Sequence, residues 1–247
     1  MADFVNLTPE TLEGEHLCCC LYALRPHAGV EKKRAWLRAR LAEGHVFRKL
    51  DAETSVFIEY APLERAWTPV EGANFYYVYC LWVSSDNAGL GYGRQLMQYC
   101  IDDAKRNGRS GLCLLGAEHQ QTWLCDQSFA RRCGFHTVDR ARGGYELLAL
   151  SFDGTTPRFT ERAREMRVDT DDLVIYYDAQ CPHTLGSIEA IRALCGKKGV
   201  PASLIEVDTL EKAKALPCVF NNWAVFYRGE FQTVNVLGAA AIERLLR

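Results

Sequence analysis

Between Asn74 and Lys105 the chain reads as three pieces in succession, and their order restricts the fold more than any other stretch. Asn74-Phe-Tyr-Tyr-Val-Tyr-Cys-Leu-Trp-Val83 is an unbroken run of aromatic and β-branched residues, which suits a strand buried on both faces at the centre of a sheet. Gly89-Leu90-Gly91-Tyr92-Gly93-Arg94 follows, and then Leu96, Met97, Cys100, Ile101 and Ala104 recur at three- and four-residue spacing, the stripe of an amphipathic helix. Glycines let a ligand approach the backbone, and the free N–H groups of a helix's first turn, with its dipole, make a site for phosphate. The turn therefore suits a pyrophosphate. Two familiar phosphate loops do not match it. A G-x-G-x-x-G begun at Gly89 meets Arg94 where its third glycine belongs, and no Lys-Ser/Thr pair completes a P-loop.

The neighbouring segments extend this α/β unit. Ala28 to Glu43 places Val30, Trp36, Leu37 and Leu41 near helical spacing, and Val46 to Leu50 with Ser55 to Tyr60 reads as a hairpin around Asp51-Ala-Glu-Thr. After the amphipathic helix come a short strand from Gly111, a helix over Trp123 to Arg132, and strands at Cys133 to Val138 and Tyr145 to Leu150. Apolar periodicity then stops. Ser151 to Asp172 has little to bury and several turn formers, which predicts a linker with at most one exposed helical turn. The expected organisation is one domain over residues 1–150, a linker over 151–172 and a smaller domain over 173–247, a division that 247 residues accommodate.

In order and spacing, Leu81-Trp82-Val83, Gly91-Tyr92-Gly93 with Leu96, and Gly134-Phe135 resemble the central motif of the GNAT superfamily of acyl-CoA-dependent N-acetyltransferases. The resemblance covers residues 1–150 and implies acetyl-CoA as co-substrate, held at Leu81, Trp82, Val83, Gly89, Leu90, Gly91, Tyr92, Gly93 and Arg94. It further implies that backbone N–H groups at the splayed end of the strand, Leu81 to Val83, meet the oxyanion. Two positions depart from the pattern. The motif's Gln/Arg falls on Ala88, and the tyrosine that many relatives use to protonate the leaving thiolate falls on Ala130, beside a Phe129 that cannot replace it.

Acetyl transfer to an amine needs a neutral amine, proximity, and a donor for the developing oxyanion. Glu59, in Val56-Phe-Ile-Glu-Tyr, is the one acid within a core-like strand on that side of the motif, and so the candidate base; a solvent-facing or arginine-paired Glu59 is the alternative. Glu15-His16-Leu-Cys18-Cys-Cys20 offers at most two local ligands where zinc takes four, so no metal is expected. His16 and Cys18 are instead candidates for substrate contact, or members of a buried helical turn.

In the second segment Leu173-Val-Ile-Tyr-Tyr is a strand running into Cys181-Pro-His-Thr184 and a helix marked by Ile188, Ile191, Leu194 and Cys195. Strand, short helix, hairpin and last helix follow, and the order βαβαββα resembles a small thioredoxin or glutaredoxin fold. A cysteine at a helix start is favoured as thiolate by the dipole, with Thr184 as a hydrogen-bond donor. Cys-Pro-His-Thr lacks a resolving cysteine, so Cys181 is a monothiol candidate and not a dithiol redox centre. The two halves together, with Phe-Ile-Glu-Tyr, Leu-Trp-Val-Ser and the tail's Cys-Pro and Val-Phe-Tyr-x-Gly-Glu-Phe, resemble the YoaP-like family of acetyltransferases.

The balance of 31 acidic against 29 basic residues, net −2, gives no patch for nucleic acid, and no apolar run approaches a membrane span. Eleven scattered cysteines fit reduced thiols and a cytoplasmic protein. The expected function is N-acetyl transfer from acetyl-CoA to a small-molecule or peptide amine. The competing expectation is a catalytically degenerate acyl-CoA-binding or thiol-dependent sensor or adaptor, for which Ala88 and Ala130 speak, with the second domain then a structural adaptor.

Overall fold

A computed structural model describes residues 3–19 and 28–247; Cys20 lies outside them. Seven strands form a mixed sheet: β1 (Phe4–Asn6), β2 (Val46–Leu50), β3 (Val56–Pro62), β5 (Phe75–Val83), β6 (Gly111–Ala117), β8 (Tyr145–Ser151) and β7 (His136–Arg140), in that spatial order. The two-residue β4 (Val70–Glu71) stands outside this sheet. Only β5 and β6 run parallel, and they pair over Phe75 to Tyr77 against Gly111 to Cys113 alone. β6 continues to Ala117 against β8, while β5 continues to Val83 against β3. The two central strands therefore part beyond Tyr77. A bulge accompanies the parting, since Glu59 faces Cys80 but Tyr60 faces Val78, which leaves Tyr79 as the extra residue.

The alternation of β5 sends its side chains to two different cores. Tyr76 and Val78 pack with Leu112, Leu114 and Leu148 against the apolar stripe of α2 (Tyr92–Arg106), namely Leu96, Met97, Cys100, Ile101 and Ala104. Phe75 and Tyr77 pack with Cys113, Leu115 and Leu147 into a second core on the opposite face, where Trp36 and Leu37 of α1 (Ala28–Leu41) also lie.

The tail forms a four-stranded sheet ordered β11 (Ala202–Glu206), β10 (Leu173–Tyr177), β12 (Trp223–Tyr227), β13 (Glu230–Thr233), with β10 parallel to β11 and antiparallel to β12. Its helices are α5 (His183–Lys198), α6 (Leu210–Lys214) and α7 (Ala239–Leu245). Period-two alternation again decides the packing. Leu173, Ile175 and Tyr177 meet Ile188 and Ile191 of α5 and Ile242 of α7. Val174, Ala224 and Phe226 enter the same core as Tyr77 and Leu115 of the first sheet. The two sheets thus share one core.

The connecting residues differ from the expected exposed linker. β9 (Arg158–Phe159) pairs with β4, α4 (Glu161–Glu165) is capped by Thr160, and Phe159, Ala163 and Met166 are all buried. These three apolar residues are too sparse to register as periodicity, yet each enters the shared core. Two further expectations are corrected: residues 11–19 form turns and bends rather than a helical turn, and the helix expected over 123–132 is only α3 (Gln127–Arg132). No helix among the described residues is long and apolar enough to cross a membrane.

Candidate active site

Where β5 and β6 part, a cleft of ≈ 920 Å³ opens. One wall is Val78, Leu81, Trp82 and Val83 of β5, the opposite wall is Leu114 of β6, and Gly93 and Met97 of α2 form the floor. The rest is the segment 118–131, which the sequence reading placed partly in a helix. Asp126 is the reason it is not all helical. Its carboxylate accepts the Phe129 N–H at 2.9 Å and the Ser128 hydroxyl at 2.7 Å, which caps α3 at Gln127 and leaves 118–125 as a loop over the cleft. The Phe129 N–H first, and then the Ser128 hydroxyl and N–H, hold Asp126 below the usual carboxylate range. An Asp three residues before Phe129 is the signal that could have located this cap.

Of the predicted glycine turn only Gly93 lines the cleft; Gly89, Leu90, Gly91, Tyr92 and Arg94 lie outside its lining. Gly89 and Gly91 have φ of +78° and +79°, the left-handed region, and Gly91 starts α2 with no side-chain cap, so nothing but backbone claims the first-turn N–H groups. A Cβ at either glycine would meet nothing within 4 Å. Gly91 and Arg94 border a separate, shallower depression with Arg48. Leu90 and Trp82 are the exposed large apolar residues of the described chain, at 58% and 40%. Tyr92 packs edge-on against Phe4. Ala130 is buried against the α2 core.

Parting leaves the β5 edge without ladder partners, and Cys125 fills part of the gap. Its thiol donates to the Tyr79 carbonyl at 3.9 Å and its sulfur accepts from the Leu81 N–H, while burial keeps the thiol protonated.

Glu59 is on the far side of β5 from α2, fully buried, with both oxygens engaged. Oε2 accepts from Lys33 Nζ at 2.7 Å and from Gln180 Nε2 at 2.7 Å; Oε1 is 2.9 Å from His45 Nε2. Burial alone would raise Glu59, but Lys33 and His45 beside it hold the carboxyl below its usual range. Burial likewise works against the Lys33 charge, and Glu59 outweighs it, holding Lys33 above the lysine range. The expected alternatives, a free base or a carboxylate on solvent or paired with arginine, are both replaced by a buried lysine pair that ties α1, β3 and the second sheet's Gln180 together.

His16 is half-buried, and burial pulls it below the histidine range. Cys18 is buried and its carbonyl accepts the Ser55 hydroxyl at 2.7 Å. Neither joins the cleft wall. Among the described residues no cluster of His, Cys, Asp and Glu is arranged to hold a metal ion.

Cys181 precedes α5 as expected, with Pro182 at the cap, yet burial pushes its thiol up to about 12 against the pull of the His183 N–H and Lys33. The Thr184 hydroxyl is spent on the carbonyls of Asp178 and Cys181, at 2.8 and 2.9 Å. Burial therefore outweighs the helix dipole, and the expected thiolate is not favoured. At pH 7.5, alkylation of Cys181 by iodoacetamide is expected to run roughly a thousandfold slower than that of an ordinary cysteine, as its smaller thiolate fraction dictates. Peptide mapping after brief labelling checks this; first label on Cys181 would contradict it.

A mixed sheet whose central parallel pair splays over a glycine-started helix defines a GNAT-type acyltransferase fold. The GNAT acetyltransferase family model matches residues 14–135, and a YoaP-like model matches residues 201–244. The uncharacterized N-acetyltransferase YoaP of Bacillus subtilis (strain 168) is 34% identical over 245 residues, 98% of each chain. Likenesses among solved structures include the PaiA N-acetyltransferase of Thermoplasma acidophilum with coenzyme A (15% identity, 62% of this chain and 99% of that one, TM-score 0.43). A GNAT family acetyltransferase of Brucella melitensis with acetyl-CoA is another (16%, 65% and 95%, TM-score 0.42). The chain belongs to the YoaP-like family of GNAT N-acetyltransferases.

Proposed function

We propose that this chain transfers an acetyl group from acetyl-CoA to a primary amine by direct attack, without a covalent enzyme intermediate. The observation that carries the reading is the cleft at the parting of β5 and β6, which Gly93 of the uncapped first turn of α2 and the β5 edge both line. The first-turn N–H groups behind Gly91, with Arg94, suit a pyrophosphate; Val78, Met97 and Leu114 suit a pantetheine arm; the N–H groups of Leu81 to Val83 suit the thioester oxygen, which would take the Leu81 N–H from the Cys125 sulfur. Bound acetyl-CoA would supply the activated acetyl group. The protein's part is to orient it, keep water from it, and present the amine on its far side.

The supporting domain reading is a GNAT domain over 1–150 and a small thioredoxin-like domain over 173–247, whose strand order 11-10-12-13 suits that fold. Residues 151–172 are then a packed connector.

Gly91→Glu tests the cradle. The side chain would place a carboxylate among the groups offered to phosphate, and acetyl-CoA affinity is expected to fall at least about a hundredfold, some 2.7 kcal/mol. Calorimetry reads the loss, and a melting curve alongside separates loss of the site from strain at a positive φ. Unchanged affinity would remove acetyl-CoA from this turn. Ala88 and Ala130 favour the second reading, a degenerate acyl-CoA-binding sensor. Such a protein would bind acetyl-CoA and release no CoA with any amine.

A further inference from the structure

Because α2 covers one face of β5, an amine reaching a thioester at Leu81 must come from the other face, which α1 and the second sheet cover. Part of that cover is the turn after β10. Gln180 fixes its position: the side-chain amide donates to Glu59 Oε2 at 2.7 Å, and Glu59 is the cross-strand partner of Cys80, one residue before Leu81. Asp178 begins the same turn, 1% exposed. Its Oδ1 accepts the Gln180 N–H at 3.0 Å, its N–H donates to the Asn222 carbonyl, and its own carbonyl accepts from Thr184. Oδ2 has no hydrogen-bond partner among the described residues.

The charges around it do not cancel. Lys33 from α1 is taken by Glu59 from β3, Tyr79 from β5 is neutral, and Cys181 on the same turn is held protonated. His45 is engaged by Glu59. Asp178 is thus a carboxyl left over in a closed site, and a buried carboxylate without a cation is costly. An alkylammonium is the cation that the reaction itself brings.

We infer that the second domain completes the acceptor site, and that Asp178 receives the ammonium of the acceptor amine and takes its proton. This rests on the proposed acetyl transfer. The ammonium gives one proton to the Asp178 carboxylate, leaving a neutral amine and a carboxylic acid. The nitrogen lone pair bonds to the acetyl carbon, the C–S bond breaks, and its electron pair leaves on the CoA sulfur. The second nitrogen proton passes to that thiolate, giving the amide and CoA thiol, and Asp178 releases its own proton to water. Burial first, with the charge of Glu59, pushes Asp178 up to about 7 against the Gln180 N–H, Lys33 and the Asn222 side-chain amide, a range fit for a base near neutral pH.

The test uses the full chain and Asp178→Asn, with acetyl-CoA binding by calorimetry and CoA release measured with methylamine, spermidine and a lysine-containing peptide as probe amines. In the wild type, kcat/KM for the amine is expected to rise through an ionisation near pH 7. In Asp178→Asn it falls about a hundredfold and loses that limb, the size of a general-base contribution, while acetyl-CoA affinity stays within about twofold. An unchanged rate or a retained limb would overturn the role of Asp178. So would a wild-type profile without the limb, a measurement needing no variant. Acetyl-CoA bound with no probe amine acetylated between pH 6 and 9 would overturn the base assignment, and no acetyl-CoA binding at all would overturn the transfer reading beneath it.

Discussion

Replacing Glu59 by alanine is expected to destabilise the protein by about 3–5 kcal/mol, the usual consequence of removing one partner from a buried ion pair. Lys33, 2% exposed, would lose its counter-charge, and His45 and Gln180 would lose their common acceptor. In a chain of this size the melting temperature should fall by roughly 10 °C. A base would behave differently: its removal would slow turnover and leave the melting curve nearly intact. The double variant Lys33→Met with Glu59→Leu separates the two roles, since removing both charges eliminates the unpaired-ion penalty. It is expected to regain most of the lost stability. Thermal denaturation of the three variants decides the matter, and a Glu59→Ala melt within about 1 °C of wild type would mean that the pair contributes little.

Glu59 shows where the sequence was legible and where it stopped. Its strand was readable, because Val56-Phe-Ile-Glu-Tyr is apolar on both sides of the acid, but the pattern left open whether the carboxylate faces the core or solvent. Its partners were not readable. Lys33 lies 26 residues earlier on a helix dense in charged residues, and Gln180 lies 121 residues later in the turn after β10. No local pattern joins three such positions. The glycine turn and α2 were readable for the converse reason: strand, turn and helix are contiguous, and their periodicities are set within about thirty residues. Asp178 escaped notice because a single aspartate after a strand looks like a turn former. Only its burial, with one oxygen unpartnered, sets it apart. Cys181 lies at a helix start as read, but the dipole is a local effect whereas burial, which pushes the thiol up, is set by the folded surroundings that no local pattern shows.

Ending the chain at residue 172 is expected to abolish the fold of the first domain rather than release it. The sequence reading made residues 151–172 a tether between separable units. In the structure the tail covers Tyr77, Leu115 and Leu147, which have 2%, 4% and 0% exposure in a core shared with Val174, Phe220, Ala224 and Phe226. Burying one large apolar side chain contributes about 1.5–3 kcal/mol, against a net stability of about 5–15 kcal/mol for a whole domain. Baring that face of β5, β6 and β8 would therefore consume most of the margin. The polar ties go with it: Lys214 Nζ to the carbonyls of Leu63 and Val70 at 2.8 and 2.9 Å, Asn221 to the Trp123 carbonyl at 2.6 Å, and Gln180 to Glu59. Losing Gln180 would also remove one of the donors compensating the buried Glu59 carboxylate. Size-exclusion chromatography and circular dichroism of residues 1–172 should show aggregation, or a species without a cooperative melt that binds a hydrophobic dye. A monomer melting within a few degrees of the full chain would mean that the first sheet supports itself. The shared core would then be a docking surface between two independent domains, and the acceptor side of β5 could open by their separation.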